Sequence, residues 1–283
     1  MTEPRTVTAE LTYIARPSHE DRLFRFRHQP GVSATRERNF GYETRQAEVE
    51  NLRGREDVLG RWSLDEHGFR FFKRATRCER FTSEEEIRGS YYEECEGLMR
   101  ELTGAKRVVF FDHTVRRRIP GITEDVPGKR QPAAQVHIDQ TPGAALARLR
   151  RHLDPEEADE VIQQGKRWQI VNLWRPIGHA AYDWPLALCA YGSVDRERDL
   201  LPITLKYPDR DGETFGIVFN AKHEWKYMRG MTPEEGVLIK CFDSIQDGTV
   251  AAFTPHTAFD DPSMPPDAPP RESIELRALV FYD

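Results

Sequence analysis

The sequence predicts a mainly β protein with flanking helices, a jelly roll whose helices lie outside one sheet. Two observations carry that expectation. Short alternating segments crowd the chain from residue 167 to residue 282, punctuated by Gly, Pro, Asp and Asn. Helical signals are confined to a few stretches upstream, so the strands lack the regular crossover helices that βαβ units require.

The first sixty residues are charge-rich and weakly periodic, with short strands expected at TVTAELTYIA and RLFRFR (22–27). They are expected to form an extension packing on the jelly roll, with 107–283 as its core and 1–283 as one domain. A helix follows: Ser83 and Glu86 make a capping box, EEEIRGSYYEECEGLMREL is the body, and Gly104 ends it. RVVFFD (107–112) then reads as a buried strand. Residues 144–152 are helical in pattern. Asp154 caps a new start, Pro155 takes the first helical position, and Gly165 closes the run. The strands expected beyond are RWQIVNLW (167–174), LALCAY (186–191), FGIVFNA (215–221), HEWKYM (223–228), GVLIKCFD (236–243), GTVAAFT (248–254) and SIELRALVFY (273–282).

Composition narrows the function classes. Charged residues make up 31% and hydrophobic residues 38% of 283, yet five Trp, nine Tyr and fifteen Phe supply a real core. No apolar run approaches the roughly 18–20 residues of a membrane span, and the N-terminus has neither a secretory nor a transit pattern. A soluble, cytoplasmic protein is expected. The net charge of -6 argues against a nucleic-acid footprint, and Arg116-Arg117-Arg118 is expected to be a solvated loop. Cys78, Cys95, Cys189 and Cys241 are scattered, without the spacing of a zinc knuckle, and are expected to stay reduced.

Three His-x-Asp sequences occur: His19/Asp21, His137/Asp139 and His152/Asp154. On a helix, residues two apart point about 200° away from each other and cannot share an ion. On a strand they face the same way. Asp154 serves a helix start and His19/Asp21 lies in a polar stretch without a strand. His137/Asp139 ends AAQVHID, so this pair has chelating geometry. His256, far along the chain, is the third ligand, giving a 2-His-1-carboxylate set that leaves positions open on non-haem Fe(II). Arg271 and Ser273 open the last strand fifteen residues later and share one face. A planar guanidinium with a hydroxyl matches a carboxylate, here the distal one of 2-oxoglutarate. Arg277 on the same face is the rival anchor.

Several stretches resemble the Fe(II)/2-oxoglutarate-dependent oxygenases related to gibberellin desaturase and cephamycin methoxylation components of secondary metabolism. They are VHIDQTPGAALARLRRHL (136–153), IVNLWRPI (170–177), DWPLALC (183–189), HEWKYM, IKCFDS (239–244), TPHTAF (254–259) and RESIELRALVF (271–281). The resemblance implies a double-stranded β-helix, with iron on His137, Asp139 and His256 and 2-oxoglutarate on Arg271 and Ser273. Asn172, Trp174 and Arg175 are expected to line or brace the site, with Arg175 in a buried ion pair. Asp183 and Trp184 are expected to shape a turn and the core. The implied enzyme is a dioxygenase using Fe(II), 2-oxoglutarate and O2 on a small molecule of secondary-metabolite type. It would hydroxylate, desaturate or close a ring, releasing succinate and CO2. No nucleic acid or membrane is expected as a partner, and a homodimer is the common oligomer. Two rival readings are a zinc-dependent hydrolase on the same jelly roll and a non-catalytic β-rich binding module. Zinc hydrolysis has no need for a carboxylate anchor at Arg271 and Ser273, and the complete ligand set tells against the binding module.

Overall fold

The computed structural model describes residues 4–27, 37–55, 60–122 and 129–283. The first part of the chain supplies β1 (Thr6–Ile14), β2 (Leu23–Phe26), β3 (Tyr42–Asn51) and β4 (Phe69–Lys73). One α turn, Glu84–Glu86, and a π turn, Ile87–Tyr91, lead into α1 (Tyr92–Thr103), followed by β5 (Arg107–Arg117) and β6 (His137–Ile138). Next come α2 (Pro142–His152), α3 (Pro155–Gln163), β7 (Trp168–Pro176), β8 (Leu186–Cys189), β9 (Leu200–Lys206) and β10 (Asp211–Ile217). The chain closes with β11 (Trp225–Tyr227), β12 (Glu235–Asp243), β13 (His256–Ala258) and β14 (Glu272–Phe281).

The strands form two sheets, one of nine in the order β1-β3-β11-β8-β13-β6-β10-β9-β2 and one of five in the order β4-β12-β7-β14-β5. The fold is a jelly roll. Residues on the inner face of the five-stranded sheet, among them Ile170, Trp174, Ile239 and Leu279, pack with Leu149 of α2 and Val161 of α3. The opposite face of the same sheet, with Val171, Leu173, Leu276 and Val280, is covered by Tyr91, Cys95, Leu98 and Met99. Both faces are therefore buried, and β7 reads as a continuous apolar run broken only by residues with work to do.

The helix signals behave as their chemistry dictates. Ser83 Oγ accepts from the Glu86 amide at 3.2 Å, and Gly104 ends α1 in the left-handed conformation, φ 74°. Asp154 sits at the start of α3 without a side-chain cap bond.

Four sequence expectations differ from the structure. GTVAAFT forms no strand. It instead bonds to the turn before β4: Ala251 N donates to Asp65 O at 2.7 Å and the Thr254 hydroxyl donates to Gly68 O at 2.6 Å. A side chain on Gly68 (φ 91°) would sit 2.4 Å from Thr254 Oγ1, so this close approach requires glycine. β3, β4 and β9 were not anticipated, because β3 is largely polar and β9 carries Pro202 in its interior. Three strands from the first sixty residues, β1, β2 and β3, belong to the nine-stranded sheet itself, where β1 pairs β3 over nine residues and β3 pairs β11. Arg116 and Arg117 belong to β5, and all three arginines of the basic run are engaged. Arg116 donates to Gln131 O (2.6 Å), Arg117 to Glu272 (2.9 Å) and Arg118 to Asp183 (3.0 Å).

Candidate active site

His137 on β6 and His256 on β13 lie directly opposite each other in an antiparallel pair. Cross-strand partners are the closest side chains a sheet offers, and the two rings stand 4.4 Å apart, tilted by 50°. Asp139 follows His137 on the same side, so one ligand atom from each of the three lies within 4.8 Å of the others. Each imidazole has its other nitrogen committed. His137 Nδ1 donates to Gln135 O at 2.7 Å and His256 Nδ1 to Thr254 O at 3.0 Å. That leaves both Nε2 atoms turned to Asp139 Oδ1, at 3.4 and 4.0 Å. Fixing Nδ1–H on a backbone carbonyl presents a neutral Nε2 lone pair, which is how metal-binding histidines are oriented.

The two oxygens of Asp139 have separate surroundings. Oδ1 faces the histidines. Oδ2 accepts from Asn172 Nδ2 (2.7 Å) and the Cys241 thiol (3.6 Å), with Arg277 Nε at 3.9 Å. Asn172 comes from β7 across the interior, and Cys241 is the extra residue of a β-bulge in β12. Burial works against the Asp139 charge, but the His137 bond and the charges of His256 and Arg277 outweigh it and hold the carboxyl well below its usual range. Burial would also lower His137, yet Asp139 turns it upward; His256 is lowered by burial and by its neighbour His137. An ionised carboxylate beside two imidazoles, one of them lowered below its ordinary value, is a donor set suited to a divalent transition metal.

Alternation on β14 brings Ser273, Glu275 and Arg277 to the same side, and Arg271 immediately precedes the strand. Arg271 is 2% exposed, and its Nε has no partner. Its amide donates to Asp183 Oδ2 at 2.8 Å, its Nη1 donates to Trp184 O, and its guanidinium lies 5.7 Å above the Trp174 ring. Burial, with Arg116 adding to it, pushes Arg271 down to about 9. A buried guanidinium in that condition is short of negative charge. Arg277 is the opposite case: Asp112 and Thr114 accept from it at 3.0 Å, and Glu275 accepts from its Nη2. Burial opposes its charge too, but Glu275, Asp112 and Asp139 raise it above the ordinary arginine value.

Trp174 packs in the core between the sheets and also carries Arg271 on its face. Arg175 does not join the site. It points to the other side of β7, where its Cζ lies 5.6 Å from the Phe72 ring and 5.9 Å from Tyr91, and Nη1 donates to Pro233 O at 3.2 Å. Among the described residues, no carboxylate lies within ion-pair distance of it, so the expected ion pair does not form. Asp183 and Trp184 do more than shape a turn. Trp184 holds φ 45°, unusual for a bulky residue, and its carbonyl and the Asp183 carboxylate together seat Arg271. Sequence reasoning also missed Cys241 and Asp112. Bulges aim Cys241 and Asp112, and a bulge has no reliable sequence signature.

Comparison with known proteins agrees with this geometry. The family described as "Oxidoreductase/YMDC permease-like domain" matches residues 11–281. The hydroxylase/desaturase efuI of Hormonema carpetanum is 34% identical, over 98% of this chain and 96% of its own. The Fe(II)/2-oxoglutarate-dependent dioxygenase nvfI of Aspergillus novofumigatus is 31% identical, over 93% of this chain and 91% of its own. The chain belongs to this hydroxylase/desaturase family of Fe(II)/2-oxoglutarate-dependent dioxygenases. A solved structure of the iron and alpha-ketoglutarate-dependent endoperoxidase NvfI superposes with a TM-score of 0.83 at 26% identity, covering 99% of both chains. Like its relatives, this dioxygenase is an oxidoreductase of secondary metabolism whose cofactor and cosubstrates are Fe(II), 2-oxoglutarate and O2. Among its described residues, no helix is long and apolar enough to cross a membrane.

Proposed function

We propose that His137, Asp139 and His256 hold Fe(II), that Arg271 with Ser273 holds the distal carboxylate of 2-oxoglutarate, and that the enzyme hydroxylates or desaturates a small molecule, ring formation included. The observation that carries the iron assignment is the convergence of one ligand atom from each of the three residues within 4.8 Å, with Asp139 Oδ2 tied back so that Oδ1 faces both histidines. The bound iron and 2-oxoglutarate supply the oxidising power, coupling loss of CO2 and formation of succinate to oxidation of the substrate by O2.

The chain's own residues do the rest. Gln135 O and Thr254 O accept from the two Nδ1 atoms and so keep Nε2 of each imidazole pointed inward. Asn172 and Cys241 fix the rotation of the Asp139 carboxylate. Arg271, fixed on Trp184 O and stacked on Trp174, offers its unpartnered Nε to an incoming carboxylate. Arg277 is neutralised by Asp112 and Glu275, which favours Arg271 over it as the anchor. A cytoplasmic location, a homodimer and the absence of a nucleic-acid partner belong to the same reading, and fractionation, light scattering and a DNA-binding assay check them.

Anaerobic titration with Fe(II) and then 2-oxoglutarate tests the assignment. A weak visible charge-transfer band is expected only when both are present, and it disappears in His256→Ala and Arg271→Ala. A band that survives both substitutions, or never forms in the wild type, sinks this assignment.

A further inference from the structure

The ligand cluster opens into a cavity of about 1790 Å³, lined by His137, Asp139 and Arg277 at its floor. That exceeds the roughly 300–1,000 Å³ of ordinary small-molecule pockets, so most of it serves something other than the cosubstrate. One wall is apolar, from Ile14, Phe40, Ile203, Leu205 and Phe215. Among the described residues the lining carries ten Arg and Lys side chains against five Asp and Glu, in a chain whose net charge is -6.

Three of the five carboxylates are already spent on arginines within the same lining. Glu37 pairs with Arg25, Asp112 with Arg277 and Glu213 with Arg22. A fourth, Asp139, belongs to the proposed iron site. Arg148, Arg151 and Lys206 have no carboxylate in ion-pair range among the described residues. Arg148 and Arg151 project from α2 at positions one turn apart, next to Ala144 and Ala147, whose small side chains leave room beside them. Arg148 is half-buried, its Cζ 5.1 Å above the Phe111 ring. The bulge in β5 turns both Phe111 and Asp112 inward, giving Arg148 its platform and Arg277 its partner from consecutive residues. Lys206 closes the other side from β9, held over Phe24 and Phe26. Cations resting on aromatic faces keep their N–H groups available for an anion.

We infer that the substrate is an amphipathic acid, an apolar skeleton carrying a carboxylate, which Arg148 and Arg151 of α2 bind with Lys206 across the mouth. This deepens the function proposed above and rests on it. The apolar wall takes the skeleton, the arginines fix the acid end, and the carbon to be oxidised is thereby held over the ligand cluster. The same excess of positive charge steers an anion into the cavity, an effect that salt weakens.

The test uses 1-pyrenebutyrate and its methyl ester, which share a skeleton and differ by the charge. Each is titrated by fluorescence anisotropy into enzyme loaded anaerobically with Fe(II) and 2-oxoglutarate, so the cosubstrate site is already filled. The acid is expected to bind at least tenfold more tightly than the ester at low salt, an advantage that shrinks as salt rises. Arg148→Gln/Arg151→Gln removes the advantage, roughly tenfold per arginine, and leaves the ester unchanged. Lys206→Gln, on a separate element, reduces it as well and serves should the double variant not fold. Equal binding of acid and ester, or an advantage that survives the substitutions, overturns the inference. Loss of the charge-transfer band in the double variant overturns it too, because the arginines would then serve 2-oxoglutarate. Absence of that band from the wild type instead sinks the residue assignment above, while the acid–ester pair still reads the cavity.

Discussion

Arg271, immediately before β14, and Arg277, within it, lie six residues apart and live in opposite electrostatic worlds. Arg277 has Asp112 and Glu275 on its guanidinium and Asp139 within 3.9 Å of its Nε. Arg271 has a carbonyl, an indole face and an unpartnered Nε. Asp183 is close, yet its carboxylate is taken by Arg118 and by the Arg271 backbone amide. A buried cation with its counter-charges in place is structural. A buried cation without them is poised for a ligand that brings one.

Removing Arg277 should sharpen this contrast most. Arg277→Leu leaves Asp112 and Glu275 facing each other without their cation, and is expected to cost about 3–5 kcal/mol in chemical denaturation. Arg271→Leu removes a buried charge that Asp183 and Glu275 offset only in part, so stability should stay within about 1 kcal/mol while 2-oxoglutarate affinity falls on the order of 100-fold. If the two variants exchange these phenotypes, Arg277 is the anchor. The floor of the site predicts a smaller effect. Asn172→Ala frees Asp139 Oδ2 and should weaken Fe(II) about 10- to 100-fold in a chelator competition, with 2-oxoglutarate affinity at saturating metal unaltered. Unchanged iron affinity would deny Asn172 its positioning role.

The smallest effect concerns a second pair of matched cations, Arg167 and Lys240, which share Asp65 and Asp243. Burial raises Asp65, but its bonds to Arg167 and Lys240 bring it down to about 2, and Asp243 is lowered for the same reasons. Depressed carboxylates stabilise the fold above their unfolded value and lose that contribution as pH falls from about 4 towards 2. Melting temperature should drop across that window, and less steeply in Asp65→Asn. Half the Asp65 side chain is exposed, so the contribution is modest.

Much of the molecule is legible without coordinates. Strand alternation, the Ser83 N-cap and the glycine stop at Gly104 are local signals, and the structure reproduces each locally. His137 and Asp139 are two apart on a strand, and period two alone puts them on one side. The fit of His256 as third ligand is legible as a residue type at a plausible position, while its surroundings are not. Its approach to His137 depends on a cross-strand pairing between segments more than a hundred residues apart, and the strand expected before it is a segment bonded to the Gly68 turn.

Side-chain chemistry and local periodicity therefore determine which residues of this chain can bind iron and a carboxylate, because those capacities belong to the residues themselves. Tertiary structure decides which of them are free to do so. Arg271 and Arg277 are chemically identical in sequence, and only packing shows that Asp112, re-aimed by a bulge, has engaged one and left the other in need of an anion. The same holds for Arg175, which the inward or outward parity of β7 removes from the site, and for the basic cavity of a protein whose overall charge is negative. Charge balance is a property of a place, and a place exists only once the chain has folded.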